Sequence, residues 1–179
     1  MKLLNEQIFY FFNSLAGQNS FLDSVIFFLA NDLPWVMVFV TVVYFLFIKK
    51  SPKKFFMIAF MVGFSSVFTE ILKWIIFRSP RPFVALSDVT QIIHISHFDS
   101  FPSQHAAVFA ALATGVFLYN KTLGTWFFVT ALLIGLARIA GGAHFPFDVL
   151  VGFLIGIFVS LIFYRAVKGF SKSVNNFIS

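Results

Sequence analysis

Five apolar runs, 35–48, 55–77, 103–119, 123–140 and 146–167, follow one another with short polar or basic breaks and one long polar loop between them. Hydrophobic residues make up 59% of the 179-residue chain and charged ones 11%, where a soluble domain carries roughly 25% charged. A run that crosses a bilayer must satisfy its backbone polar groups internally, so each run is expected to be a helix. The fold class that follows is all-α: a polytopic membrane helix bundle with about five spanning helices, preceded by N-terminal interfacial helices.

The lead-in differs in kind. Between residues 3 and 30, apolar stretches alternate with Asn13, Gln18, Asn19, Ser20 and Asp23, and none reaches the roughly 20 apolar residues of a span. Two short helices lying in the interface fit this pattern. A secretory signal fits poorly, because the start is weakly basic and no small-residue cleavage site follows an unbroken apolar core. Asn31-Asp32-Leu33-Pro34 reads as a break and a fresh helix start, with Asp32 as cap and Pro34 in the first turn. One membrane-embedded domain is expected, divided into an interfacial lead-in at 1–32, a transmembrane core at 33–168 and a cytoplasmic tail at 169–179. Ala106-Ala107, Ala110-Ala111, Gly152 and Gly156 mark helix faces that can approach closely in lipid.

Charge sets the orientation. With five spans, Lys49, Lys50, Lys53, Lys54, Lys121, Arg165, Lys168 and Lys172 fall on one side, which the positive-inside rule makes cytoplasmic. The net charge of +6 is thus explained by topology, and no nucleic-acid partner is expected. Cysteine is absent, which removes disulfides, zinc–thiolate sites and thiol nucleophiles.

The opposite side collects Lys73, Arg78, Arg81, Ser103, Gln104, His105, Arg138, His144 and Asp148 at the rims of apolar helices. Each has a structural alternative: Lys73 can pair with Glu70 three residues away, and Arg78 and Arg81 can anchor headgroups. Gathered on one face they suit a phosphate group. Arginine offers bidentate donors to phosphate oxygens and lysine a point charge, so Arg81, Arg138 and Lys73 can neutralise a pentavalent centre. Ser103 and Gln104 open a helix after Pro102, where free amides and the positive dipole end favour an anion. If Asp148 accepts a hydrogen bond from one nitrogen of His144, the other nitrogen is left as a nucleophile. His105 then serves as general acid for the leaving oxygen. His94 and His97, in the long loop, can gate the site or face water, and the latter is expected.

Pro102-Ser103-Gln104-His105, then Arg138, five residues, His144, three residues and Asp148, resemble the second and third signatures of the type 2 phosphatidic acid phosphatase superfamily. Arg81-Pro82 after Lys73 resembles the first, and the resemblance covers residues 55–163. It implies that His144 attacks phosphorus to form a phosphohistidine with help from Asp148, and that His105 protonates the leaving group. It also implies phosphate binding by Lys73, Arg81, Ser103, Gln104 and Arg138, with no metal or other cofactor. The chain departs from the signatures in three places. Seven residues instead of six separate Lys73 from Arg81, which leaves either Lys73 or Arg78 for the first-signature cation; Gln104 stands where glycine is usual, and Ala137 where serine is usual.

Within that superfamily, the opening from Asn5 to Ser24, the Arg81-Pro82-Phe83-Val84-Ala85 loop and the non-glycine before His105 resemble bacterial undecaprenyl-diphosphatases of the bacitracin-resistance type. The function so implied is hydrolysis of undecaprenyl diphosphate to undecaprenyl phosphate at the external face of the bacterial cytoplasmic membrane. That is a step of cell wall biogenesis linked to antibiotic resistance, and it makes the whole chain a lipid phosphatase domain whose partners are its lipid substrate and the bilayer. The alternatives are a phosphatase for phosphatidic acid, phosphatidylglycerol phosphate or lipid A, and a non-enzymatic carrier or scaffold. Carriers usually show repeats or broken, charged helices near the midplane, which this sequence lacks. Nothing in it sets an oligomeric state.

Overall fold

The computed structural model describes residues 2–75, 79–95 and 99–178, the last eight of these by backbone alone. The described residues form helices and loops, with one isolated bridge between Pro80 and Asp99. Helix α1 is Lys2–Asn13, and α2, Ser20–Phe27, starts at Asn19, whose side chain accepts from the Leu22 amide at 2.9 Å. Then follow α3 (Leu33–Val42), α4 (Pro52–Ile75), the one-turn α5 (Pro82–Ala85), α6 (Gln104–Tyr119), α7 (Lys121–Ala140) and α8 (Pro146–Ile178).

The expected break at Asn31–Pro34 is not a break. A π-helical turn, Phe28–Asp32, joins α2 to α3, and a second, Val43–Ile48, extends α3. The result is one apolar rod, Ser20–Ile48, of 29 residues. Across the junction the Leu33 amide reaches back five residues to the Phe28 carbonyl, and Asp32 makes no capping bond. Proline lacks an N–H and its ring crowds the carbonyl four residues earlier; the wider π turn relieves both problems, so Pro34 is tolerated without ending the helix. Residues 20–32 therefore extend the first membrane-length helix, which was expected to begin at 33.

Four stretches, Ser20–Ile48, Pro52–Ile75, Lys121–Ala140 and Pro146–Phe170, are long and apolar enough to cross a bilayer. Helix α6 is shorter, 16 residues and so about 24 Å long. It is also the centre of the bundle, packed on α4, α7 and α8, with Ala106, Ala107, Ala110, Ala111 and Ala113 buried. Helix α8 approaches it through glycine. A Cβ at Gly152 would run into the Ser103 carbonyl and Ala106, and one at Gly156 into the Ala107 carbonyl and Ala110. This contact is close enough for the Ser103 amide to donate to the Asp148 carbonyl at 3.0 Å, which locks the start of α6 to the start of α8. Bulky side chains such as Trp35, Phe39, Phe60, Trp74, Trp126 and Phe158 point outward, as a lipid-facing surface requires. Helix α8 continues to Ile178, through the segment expected as a tail at 169–179.

Helix α1 braces the end of the bundle that carries the polar residues. Phe9 is fully buried against Ala106, Ile139, Phe145 and Val149. The buried Asn13 amide donates to the carbonyls of Thr90 and Ala140, both at 2.8 Å, and its oxygen accepts from the Thr90 amide at 3.0 Å. A single side chain thereby pins the long loop to the end of α7.

Candidate active site

The ends of α4 and α7 and the starts of α6 and α8 meet at one end of the bundle, and the loops between them carry the site. Helix α7 stops at Gly141-Gly142. Gly142 has φ +79°, a left-handed conformation open to glycine, and a Cβ there would meet the Thr90 carbonyl of the crossing loop. The amides of Ile92 and Ile93 both reach the Gly141 carbonyl at 3.2 Å, and the Ala143 amide folds back to the Arg138 carbonyl at 3.0 Å. This reversal presents the Ala143 carbonyl to Arg81, whose Nη1 donates to it at 2.8 Å. Arg81 is held in place from its own side too, since it follows the Pro80–Asp99 bridge and opens α5.

His144 lies between these parts, 2% exposed. Its Nδ1 is 3.0 Å from the Ser100 carbonyl, and its Nε2 is 3.4 Å from Arg81 Nη1. A carbonyl only accepts and a guanidinium only donates, so the proton belongs on Nδ1 and the lone pair on Nε2. Burial foremost lowers the His144 pKa, to about 4, with Arg138 and Arg81 adding to the effect and Asp148 opposing it. The ring is therefore neutral at physiological pH, as a nucleophile must be. Burial likewise lowers the pKa of Arg81, while Asp148 and Asp99 act to raise it.

The expected direct hydrogen bond from His144 to Asp148 is absent. Asp148 Oδ2 lies 3.8 Å from Nδ1, beyond hydrogen-bond reach. Instead Oδ2 accepts a short hydrogen bond from the Ser100 hydroxyl and another from the Phe145 amide at 2.9 Å. The carboxylate is drawn to these two donors, one in the long loop and one just before α8, and the Ser100 carbonyl takes its place on Nδ1. Ser100 was missed in the sequence, where it reads as one more polar residue of a long loop.

His105 sits in the first turn of α6 beside Phe109, with ring centroids 6.3 Å apart, and the charges of Arg138, Lys73 and Arg81 and the ring of His144 all act on it. Arg138, 4% exposed, keeps a buried Nε with no hydrogen-bond partner among the described residues. A buried guanidinium with a donor left over fits an anion-binding role. Lys73 pairs with Glu70 at 3.0 Å while acting on His105 from the end of α4. Arg78 and His97 lie outside the described residues, and His94 is exposed.

Two expected phosphate ligands are differently engaged. The Ser103 amide is taken by the Asp148 carbonyl and its hydroxyl caps α6 at the Ala106 amide, 3.5 Å away. The first-turn amides of Gln104 and His105 remain, groups that a helix does not use internally. The Gln104 side chain turns to α4, donating to the Ser66 hydroxyl at 2.6 Å and the Ser66 carbonyl at 3.2 Å. It ties two helices together where the usual glycine would leave a gap. Ser66, a second residue unnoticed in the sequence, is its anchor.

Residues 54–172 match the model of the PAP2 superfamily. A Bacillus licheniformis protein named bacitracin transport permease protein BcrC is 33% identical over 92% of this chain and 82% of its own length. The undecaprenyl-diphosphatase BcrC of Bacillus subtilis is 29% identical over 90% and 83%. Among solved structures, LpxE of Aquifex aeolicus superposes with a TM-score of 0.76 at 31% identity, covering 90% of this chain and 95% of that one. A match over most of the length, with a relative this similar from end to end, means that the chain belongs to the PAP2 superfamily of membrane phosphatases.

Proposed function

We propose that the protein hydrolyses undecaprenyl diphosphate to undecaprenyl phosphate and inorganic phosphate through a phosphohistidine on His144, without metal. The observation that carries this reading is the state of the His144 ring: Nδ1 is held by an acceptor, and Nε2, with its lone pair, faces the Arg81 guanidinium. In the proposed reaction the terminal phosphate binds among Arg81, Arg138, Lys73 and the first-turn amides of α6. Nε2 attacks phosphorus in line as the bond to the bridging oxygen breaks, and His105 gives that oxygen its proton. Water then attacks the phosphohistidine, losing a proton to His105, and Nε2 leaves with its lone pair restored. A phosphate dianion among these cations offsets their repulsion of a protonated His105, so substrate binding itself prepares the acid. Asp148 stabilises the positive charge that His144 acquires.

Similarity to the undecaprenyl-diphosphatase BcrC of Bacillus subtilis supports the diphosphate as substrate. The basic residues, including Lys49, Lys53, Lys121 and Lys168, belong to the opposite ends of the helices, which supports a site on the external face of the cytoplasmic membrane. One relative bears a transporter's name, so a carrier is the second reading. Phosphate release by protein purified in detergent with EDTA tests both. We expect release from undecaprenyl diphosphate to exceed that from phosphatidic acid, phosphatidylglycerol phosphate and lipid A, and to vanish in His144→Ala. Preference for another lipid phosphate would overturn the substrate alone. Release that requires a divalent metal or survives the substitution would overturn the mechanism, and no release from any lipid would favour the carrier.

A further inference from the structure

We propose that Ser100 is the positioning residue of the nucleophile, and that Asp148 acts on His144 through it. The proposal rests on the assignment of His144 as nucleophile, and its geometry is independent of which lipid is the substrate. Three groups of this one residue make three different connections. Its amide donates to the Ser79 carbonyl at 2.8 Å, on the arm that leads through Pro80 to Arg81. Its carbonyl accepts from His144 Nδ1 at 3.0 Å, and its hydroxyl donates to Asp148 Oδ2 while lying 3.4 Å from the same Nδ1. Ser100 is fully buried, so no water competes for these contacts.

The consequence is a division of labour. The backbone carbonyl fixes the tautomer and aims Nε2, a task that survives any change of side chain at position 100. The hydroxyl carries the link to the carboxylate. With Asp148 Oδ2 at 3.8 Å from Nδ1, the aspartate has no direct hydrogen bond to the ring, and the serine hydroxyl touches both. When His144 becomes positive on forming the phosphohistidine, Asp148 stabilises it from a position that this hydroxyl sets. The charged and titratable groups acting on His144 are Arg138 and Arg81, His105 across the site and Asp148 on its own helix. Ser100 is the neutral joint among them.

The test compares wild type with Ser100→Ala, Asp148→Asn and the double variant, each checked for an unchanged melting temperature in detergent. In Ser100→Ala we expect kcat to fall roughly tenfold or more with KM within about twofold, the scale on which a partner behind a functional histidine acts. If the aspartate works through the serine, the double variant is no slower than the slower single one. Losses that multiply would show two independent roles and overturn the proposal, as would an unchanged kcat. A second measurement is free of the substrate question. With four histidines in the chain, the His144 ring is assignable by 15N labelling, and its titration midpoint should move by about half a unit or more in Ser100→Ala. An unmoved midpoint overturns the link. Wild-type protein inactive on every lipid phosphate, but with the midpoint shift present, would reject the proposed reaction and keep the serine link.

Discussion

Arg81 Nη1 lies 3.4 Å from His144 Nε2, although the two residues are 63 positions apart and come from different loops. The same nitrogen donates to the Ala143 carbonyl, so the guanidinium is held against the loop that carries His144. A planar guanidinium fixes the direction of its donors, and an ammonium cannot reproduce that geometry. We expect Arg81→Lys to lower kcat/KM by about 100-fold, the equivalent of two charged hydrogen bonds, and Arg81→Ala to lower it further. Steady-state kinetics in detergent decide it; a lysine variant within a few-fold of wild type would show that charge alone suffices.

Arg138 brings a donor, the buried Nε, that has no partner among the described residues. Its partner in our reading is a phosphate oxygen, and inorganic phosphate, the product, should compete for it. In Arg138→Gln the inhibition constant for inorganic phosphate is expected to rise roughly tenfold or more, because a hydrogen bond to a charged group is lost. Equal inhibition of variant and wild type would mean that Arg138 is a structural cation.

The pH dependence follows from the buried imidazole. His144 titrates at about 4, below the ordinary 6.5, so Nε2 stays unprotonated and kcat/KM should hold as pH falls through 6.5, declining only nearer 4. Stability moves in the same direction. Between about 4 and 6.5 the unfolded chain binds a proton at this residue that the folded chain does not, so stability present above 6.5 is lost as pH drops through that window. Melting temperatures against pH should show a smaller loss in His144→Gln, and an identical slope would refute this assignment of the acid limb.

Gln104 supplies a control. Its side chain bonds to Ser66 on α4 instead of the phosphate cradle. Gln104→Ala should cost about 1 kcal/mol of stability, the value of a hydrogen bond, and leave kcat within about twofold. A large fall in kcat with unchanged stability would place the carboxamide in the reaction.

Much of this arrangement was legible in the sequence because it depends on local patterns. Apolar runs of bilayer length name the helices, Gly152 and Gly156 name the face that meets α6, and the spacing of Arg138, His144 and Asp148 around a Gly-Gly turn names the loop that brings them to one end of the bundle. Other features look the same in sequence whichever way they fold. Asn31-Asp32-Leu33-Pro34 has every local mark of a helix start, and the outcome turned on a π turn that accommodates the proline within a longer rod.

The sequence by itself determined which residues gather at one end of the bundle, since helix length and the order of loops place them there. Only the tertiary structure decided which atom faces which. Hydrogen bonds discriminate over tenths of an ångström, while spacing along the chain resolves no better than a helical turn. Hence His144 and Asp148, four residues apart and natural partners on paper, stand 3.8 Å apart, and a serine 44 positions away holds the ring at 3.0 Å.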